Sequence, residues 1–348
     1  MSSCGAAFLI AIIVSILITP AVIRLAAATG AMDKPDARKV HKRPIPRIGG
    51  LGIYLACIVS VIAMAILTDF EGEHLKEIIG LLVSGSFIVF VGVVDDYKNL
   101  PAKVKLLGQI FAAMILVLIF DVQIDFISDP FGDYIYLEWW FAIPVTLFWL
   151  VGLTNTVNLI DGLDGLAAGV SAIAAITIML VALEQNFLLV AILTAALAGA
   201  ATGFLFYNSH PARIFMGDTG SMFLGFMLAG ISVIGAVKSA TTIALVVPIL
   251  ALGVPIFDTT FAIIRRLIGG QPIFKPDKGH LHHRLLSIGF TQRQAVFLMY
   301  VISALLGLSA VALTEVSRQM AMLILLVVVV AVLYGAKRLG ILRLADKR

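Results

Sequence analysis

The chain alternates between long apolar runs and short polar segments over almost its whole length. A helix needs about 20 apolar residues to cross the hydrocarbon core of a membrane. Eleven runs approach that length, or ten if two of the closely spaced fifth to seventh runs merge. They lie at 6–28, 48–67, 78–94, 106–121, 140–157, 166–183, 188–207, 221–237, 241–264, 295–314 and 320–336. The pattern predicts an all-α polytopic membrane protein, with residues 1–348 forming a single domain.

The polar segments differ in charge in a regular way. Lys and Arg cluster in segments 29–47, 95–105 and 265–294 and in the tail from Lys337, whereas the alternate segments hold mostly acids. Because cytoplasmic loops carry the excess of Lys and Arg, the bias places these segments in the cytoplasm. We therefore expect the N-terminus outside and the C-terminus inside.

Composition agrees with a membrane protein that has little mass outside the bilayer. The chain is 60% hydrophobic and 13% charged, whereas a soluble domain carries about 25% charged residues. The pI of about 9.1 reflects the basic cytoplasmic loops, so we expect no nucleic-acid partner. Two cysteines make a disulfide framework or a zinc site improbable.

Three acidic motifs fall at span ends on the predicted cytoplasmic side, although acids were not used to set the orientation. Asp95 and Asp96 end the third span, and Asp218 opens the eighth. Acids at membrane depth are costly and usually serve chemistry or transport. Carboxylate oxygens suit Mg²⁺, which also binds substrate phosphates. The pattern indicates a metal site, with simple helix capping as the alternative for Asp218.

The third motif repeats polar residues at near-helical spacing. Asn155, Asn158, Asp161 and Asp164 recur every three residues, which would place them along one face at the end of the fifth span. The alternative is a polar loop with turn glycines. Two Asn and two Asp in ten residues between apolar spans favour a binding role.

The longest cytoplasmic segment, 265–294, is rich in cationic residues. Arg265 and Arg266 open it, and His280, His282 and His283 follow. Three His suggest zinc at first, but neighbouring Lys and Arg would repel a cation. A cationic cluster beside a carboxylate site fits binding of a pyrophosphate better. Asp258, in the ninth span, either pairs with an Arg of its own helix or serves catalysis.

Several of these motifs, in this order, resemble one enzyme family. They are the runs Lys42–Gly50, Val94–Tyr97, Asn158–Gly165, Phe215–Gly220 and His280–Arg284. The chain resembles the polyprenyl-phosphate N-acetylhexosamine-1-phosphate transferases over nearly its whole length. The resemblance implies transfer of a sugar 1-phosphate from a UDP-N-acetylhexosamine to undecaprenyl phosphate, with release of UMP. It implies a Mg²⁺ cofactor, which Mn²⁺ would replace, and a place in the plasma membrane of a bacterium.

The resemblance also implies roles for individual residues. Asp218 resembles a magnesium ligand, with Asp95 and Asp96 as the family's paired acids. Asn208 and Phe215 match positions that contact uracil and stack on it. We expect catalytic roles for Asp95, Asp96, Lys105, Asp161, Asp164, His280, His282 and His283. We expect substrate contacts from Asn155, Asn158, Asn208, Phe215, Arg265, Arg266 and Lys42.

Two features bear on the choice of substrate and on rival functions. Asn99 stands where many members have a third acid, and the run His280–Arg284 is similar to the GlcNAc-type members. UDP-GlcNAc is therefore the expected donor, with UDP-MurNAc-pentapeptide or another UDP-N-acetylhexosamine as the alternative. The main rival class is a secondary transporter, whose site belongs near the membrane midplane. We also allow for a homodimer.

Overall fold

The computed structural model describes residues 2–33, 44–128, 134–238, 246–270 and 279–340, and within them the protein is almost entirely helical. Lys42 lies outside the described residues. The helices are α1 (Ser2–Thr29), α2 (Gly50–Leu67), α3 (Gly72–Lys98), α4 (Ala102–Met114), α5 (Trp139–Ile160), α6 (Leu166–Glu184), α7 (Leu188–Asn208), α8 (Gly217–Lys238), α9 (Val246–Ala251), α10 (Gly253–Ile268), α11 (Leu281–Ser287), α12 (Gln292–Glu315) and α13 (Arg318–Arg338).

Ten helices in the described part of the chain are long and apolar enough to cross a membrane. They are α1 to α8, α12 and α13, where α4 is extended by a π-helical turn at Ile115–Ile119. The expected all-α polytopic fold is confirmed. The predicted orientation and the single-domain interpretation stay predictions.

The ninth predicted run, 241–264, differs from the others. Among its described residues it forms two short helices, α9 and α10, which meet at Leu252. Gly253 and Pro255 follow the break, and a proline is tolerated in the first turn of a helix, where its missing N–H has no partner to lose. The count of ten long helices therefore arises from this break and not from a merger among the fifth to seventh runs.

Two short antiparallel hairpins complete the described structure. Strand β1 (Met32–Asp33) pairs with β2 (Ile45–Pro46), with Met32 opposite Pro46. Strand β3 (Phe126–Ser128) pairs with β4 (Tyr134–Tyr136), with Phe126 opposite Tyr136. The first hairpin directs the chain into α2 and so places Arg47 beside the ends of α3 and α8.

The core of the bundle is formed by α7 and α8. Within their most apolar windows, 83% and 94% of the residues are buried, against 11% for α13. Helix α1 packs closely on α7, where Ser15 Oγ donates to the carbonyl of Ala200 at 2.9 Å. Small residues and hydroxyl groups are the usual means of close packing between membrane helices.

The start of α8 lies in close contact with both α2 and α3. A Cβ atom at Gly50 would lie 2.1 Å from the backbone nitrogen of Gly220, and one at Gly92 would lie 2.5 Å from Cα of Thr219. Only glycine allows backbones to approach so closely. This packing brings Asp218, at the first turn of α8, next to the acids that end α3.

Candidate active site

Three carboxylates meet where α3 ends and α8 begins. Asp95, Asp96 and Asp218 each offer one oxygen within 4.8 Å of the other two. Lys105, in the first turns of α4, lies between two of them: its Nζ is 2.7 Å from Asp218 Oδ2 and 3.3 Å from Asp95 Oδ2. The structure thus brings together four side chains that the sequence predicts for one site.

The carboxylate of Asp96 is bound to the beginning of α8. Its Oδ1 accepts from the backbone N–H of Asp218 at 3.0 Å, and its Oδ2 accepts from the backbone N–H of Thr219 at 3.1 Å and from its hydroxyl at 2.6 Å. The side chain has no exposed area. Asp96 therefore satisfies N–H groups that a helix leaves unpaired at its N-terminus.

Arg47 completes this arrangement from the segment before α2. Its Nε is 3.1 Å from Asp96 Oδ1, and its Nη1 donates to Asn99 Oδ1 at 2.9 Å. Asn99 ends α3 in the left-handed conformation with φ of 48°, which asparagine tolerates better than most residues. Asn99, which stands where the resemblance led us to expect a third acid, is thus a partner of Arg47.

The chemistry of these acids fits a hard divalent cation. Asp218 is the most accessible of the three, with 18% of its side chain exposed against 3% for Asp95. The oxygens of Asp96 are bound by α8 and Arg47, and Asp95 Oδ1 accepts from the Leu100 N–H at 2.6 Å. Asp218 and Oδ2 of Asp95, both beside Lys105, are therefore best placed to bind an ion. The ammonium group of Lys105 places a positive charge beside the same carboxylates.

Asparagines near the end of α5 face the acid cluster. Asn155 Nδ2 donates to Gln109 Oε1 at 2.6 Å, which links α5 to the helix that carries Lys105. Asn158 Nδ2 donates to Ser221 Oγ at 2.8 Å, one turn beyond Asp218. The two residues share a face, as their spacing predicts, and lie half-buried beside α4 and α8.

Asp161 and Asp164 lie in the loop between α5 and α6. Surrounding protein atoms desolvate the Asp161 carboxyl, and the charges of Asp218, Asp96 and Asp164 add to this effect, so its pKa rises to about 8. Burial is the main cause, and the neighbouring carboxylates add an excess of negative charge that Arg47 only partly offsets. A cluster with such an excess of negative charge favours binding of a cation.

The residues predicted to contact uracil are held mainly through backbone groups. Asn208 is buried; its Oδ1 accepts from Gly165 N–H at 3.1 Å, and its Nδ2 donates to Ile214 carbonyl at 2.9 Å. Phe215 pairs with the entry to α2, with its N–H donating to the Pro46 carbonyl at 2.8 Å. The amide of Asn208 therefore fixes two loops, and the ring of Phe215 remains half-buried.

The histidine segment is anchored by the buried Asp258 of α10. His280 Nδ1 lies 3.0 Å from Asp258 Oδ2, and the backbone N–H of Leu281 donates to Asp258 Oδ1 at 2.7 Å. Asp258 thus fixes both the imidazole of His280 and the first residue of α11. The structure thus gives Asp258 a partner, His280, that the sequence analysis did not name, and a catalytic role for Asp258 stays a prediction.

His282 joins this segment to the acidic loop. A Cβ atom at Gly162 would lie 2.6 Å from His282 Nε2, so the ring rests directly on the loop that carries Asp161. Burial, with a smaller effect from His283, lowers the pKa of His282 to about 4. At neutral pH this ring is uncharged, so it adds no cation to the predicted anion site. His283 is exposed beside it, with ring centroids 4.2 Å apart.

The two arginines of α10 lie at its end. Arg265 is buried, and its guanidinium packs on the backbone of Gly279, directly before His280. Arg266 is half-buried on the following position. Arg265 is therefore placed beside the histidine segment, as a shared anion site would need, and the assignment of substrate contacts to both stays a prediction.

Sequence reasoning gave no site role to Arg47, Thr219 or Gln109. Arg47 and Thr219 lie within two of the motifs that carry the resemblance, but neither was singled out, and Gln109 carries no charge to draw attention. All three act through hydrogen bonds to acids or amides from other helices. The motifs do not show which groups these residues contact, because the pairs form only when distant segments pack together.

With this geometry in place, comparison with known proteins defines the class. The profile of glycosyl transferase family 4 matches residues 78–236, which include the acid pair, Lys105, the asparagine motif and Asp218. The chain belongs to this family of membrane transferases.

Individual relatives match over a longer range. A Bacillus subtilis protein named probable undecaprenyl-phosphate N-acetylglucosaminyl 1-phosphate transferase is 41% identical over 93% of this chain and 88% of its own length. The decaprenyl-phosphate N-acetylglucosaminephosphotransferase of Mycobacterium tuberculosis is 35% identical over 84% of this chain and 78% of its own. A phospho-N-acetylmuramoyl-pentapeptide-transferase of Bacillus cytotoxicus is 31% identical over 87% and 94%.

Proposed function

We propose that this protein transfers N-acetylglucosamine 1-phosphate from UDP-GlcNAc to undecaprenyl phosphate and releases UMP. The observation that carries the proposal is the meeting of Asp95, Lys105 and Asp218 at one end of the helix bundle, beside the loop with Asp161 and Asp164. Family membership and the 41% identical relative support the same reaction.

In this proposal an oxygen of the lipid phosphate attacks the β-phosphorus of the donor, and the bond from that phosphorus to the bridging oxygen breaks. A phosphate monoester has a second pKa of about 6, so the lipid nucleophile is mostly dianionic at neutral pH and needs no strong base. Asp95 would orient this group, and Lys105 would offset negative charge as it develops. Asp161, Asp164 and Phe215 would hold the nucleotide.

The reaction is expected to need Mg²⁺, held by Asp218 and Asp95. When bound, the ion would offset charge on the diphosphate and on the leaving UMP. Mn²⁺ is a reasonable substitute because it also prefers oxygen ligands. The excess of carboxylates around Asp161 supports this requirement.

We further propose that the site faces the cytoplasm of a bacterium, where UDP-sugars are made. The Lys and Arg bias of the loops supports this orientation. Both native cysteines are buried, which permits a direct test. A cysteine in place of exposed Lys98 should resist an impermeant maleimide in intact cells, and one in place of exposed Glu71 should react. The reverse result would contradict the orientation.

Which UDP-sugar serves as the donor substrate is a more specific part of the proposal. The relatives named as GlcNAc-phosphate transferases are 34–41% identical to the chain, whereas the pentapeptide-transferring relative of Bacillus cytotoxicus is 31% identical. This difference favours UDP-GlcNAc and keeps UDP-MurNAc-pentapeptide as the alternative. A direct comparison of the two donors under equal conditions decides between them.

The test is incubation of the full chain in detergent micelles with UDP-GlcNAc, undecaprenyl phosphate and Mg²⁺, measuring UMP and lipid-linked sugar. We expect both products in equal amounts and none after chelation by EDTA. Asp218→Asn should abolish turnover, whereas Asp69→Asn, a matched change of an exposed acid near the opposite end of α3, should leave it intact. A secondary transporter would release no UMP in micelles, which enclose no gradient.

A further inference from the structure

A second acid–histidine pair lies where the loop after α5 meets the loop after α7. His210 Nδ1 is 2.7 Å from Asp164 Oδ2, and the backbone N–H of Ala212 donates to the same oxygen at 3.1 Å. Among the described residues, hydrogen bonds reach Oδ2 alone. Oδ1 is therefore the oxygen of Asp164 that a ligand can use.

The backbone around this pair is fixed independently. Asn208 bridges Gly165 N–H and the Ile214 carbonyl, as described above, and Tyr300 Oη donates to the Gly165 carbonyl at 2.6 Å. Gly165 itself has φ of +79°, which glycine adopts without strain. The two loops therefore keep their places without help from the His210 side chain.

The imidazole is placed to orient the carboxylate and does little for packing. About a third of the His210 side chain is exposed, so its removal leaves no buried cavity. Arg293 Nη2 donates to the His210 carbonyl at 3.3 Å and so holds the backbone of the residue from α12. What the ring adds is one short hydrogen bond that sets the rotation of the Asp164 carboxylate.

We propose that His210 is a positioning residue for donor binding, which acts by fixing Asp164 so that Oδ1 meets an N–H or hydroxyl group of the uridine moiety. An ionised carboxylate only accepts hydrogen bonds, and uridine offers donors at its base and at its ribose. Because the hydrogen bond to Oδ2 fixes the Asp164 carboxylate before the ligand arrives, the entropic cost of binding is lower. This inference rests on the proposed function, because it takes the donor to be a uridine nucleotide.

The decisive test compares two amides at position 210 in the full chain. The amide nitrogen of asparagine lies close to where Nδ1 of histidine lies, whereas that of glutamine lies close to Nε2. Calorimetric binding of UDP, which needs no turnover, is measured for His210→Asn, His210→Gln and His210→Ala. His74→Ala, at an exposed histidine on α3, is the control.

We expect His210→Ala and His210→Gln to weaken UDP binding about tenfold, the size of one lost charge-assisted hydrogen bond. His210→Asn should stay within about twofold of the unchanged protein. The KM for UDP-GlcNAc should follow UDP binding, while kcat and the KM for undecaprenyl phosphate change little. In an Asp164→Ala background, His210→Ala should have no further effect, because the partner is gone.

Equal binding by the Asn and Gln variants, or additive losses with Asp164→Ala, would overturn the inference. So would an equal rise in the KM for both substrates, or a fall in unfolding temperature that accounts for the loss. Absence of UMP release by the unchanged protein would instead refute the proposed function. The UDP-binding comparison would then still decide the role of His210.

Discussion

Asp96→Asn separates a structural acid from a chemical one within the same cluster. In the wild-type protein the two oxygens of Asp96 accept from the N–H groups of Asp218 and Thr219, from the Thr219 hydroxyl and from Arg47. The amide of asparagine has one oxygen and one NH₂ group. Whichever way it turns, the NH₂ group faces donors, so at least one backbone N–H at the start of α8 loses its acceptor.

The loss of stability in Asp96→Asn can be estimated from the hydrogen bonds that are lost. One buried unpaired N–H costs about 1–3 kcal/mol, and loss of the charge opposite Arg47 adds to this cost. If the NH₂ group replaces Oδ2, the Thr219 hydroxyl can turn to accept from it, which leaves the Thr219 N–H unpaired. If it replaces Oδ1, the Asp218 N–H and Arg47 both lose an acceptor. A destabilisation of about 2 kcal/mol is the central expectation, enough to lower the unfolding temperature by several degrees.

The assay is thermal unfolding in detergent beside UMP release, with Asp218→Asn as the matched variant. Asp218 lies among other carboxylates, and its Oδ2 accepts from Lys105 Nζ at 2.7 Å. Its neutralisation should abolish turnover and lower the unfolding temperature less than Asp96→Asn does, because the side-chain oxygen of asparagine can still accept from Lys105. Asp96→Asn should lower both activity and stability, because the first turn of α8, which carries Asp218, loses a contact that fixes its backbone.

A wild-type unfolding temperature for an inactive Asp96→Asn protein would refute this reasoning and give Asp96 a direct chemical role. The same holds if Mn²⁺ binding, followed by electron paramagnetic resonance, is lost in Asp96→Asn without any loss of stability. Binding that survives with reduced affinity agrees with an indirect role.

Three further expectations concern other parts of the site. Lys105→Met should tighten Mn²⁺ binding, since no ammonium competes for Asp218, and should abolish turnover. Lys105→Arg is the control, and weaker Mn²⁺ binding by Lys105→Met in a spin-resonance titration would contradict the prediction. Asp258→Asn and a change of His280 to alanine should give non-additive losses of kcat, because the acid acts through that ring; additive losses would show independent roles. The pKa of His282 is about 4 in the folded protein, below the ordinary 6.5, because the buried ring resists protonation. The free energy of unfolding therefore includes a contribution from His282 that is fully present above about pH 6.5 and is lost as the pH falls towards 4. His282→Gln should flatten that loss in unfolding scans between pH 7.5 and 5, and an unchanged slope would refute the assignment.

The amino-acid sequence by itself determined the class of fold and the chemical character of the site. A membrane leaves helices as the way to satisfy the backbone of an apolar run, so the all-α membrane fold follows from hydropathy, whereas the break of the ninth run does not. Acids at the ends of such runs are rare enough to mark function, and Asp95 and Asp218 were found in that way.

Only the tertiary structure shows which groups each acid contacts. Asp96 and Thr219 are 123 positions apart, and their contact exists because glycines let α3 and α8 approach closely. The break at Leu252 and the pairing of Asp258 with His280 likewise depend on which segments pack together. Sequence patterns report local preference, whereas the direction of each carboxylate is set by donors from distant helices, and that information appears only once the chain is folded.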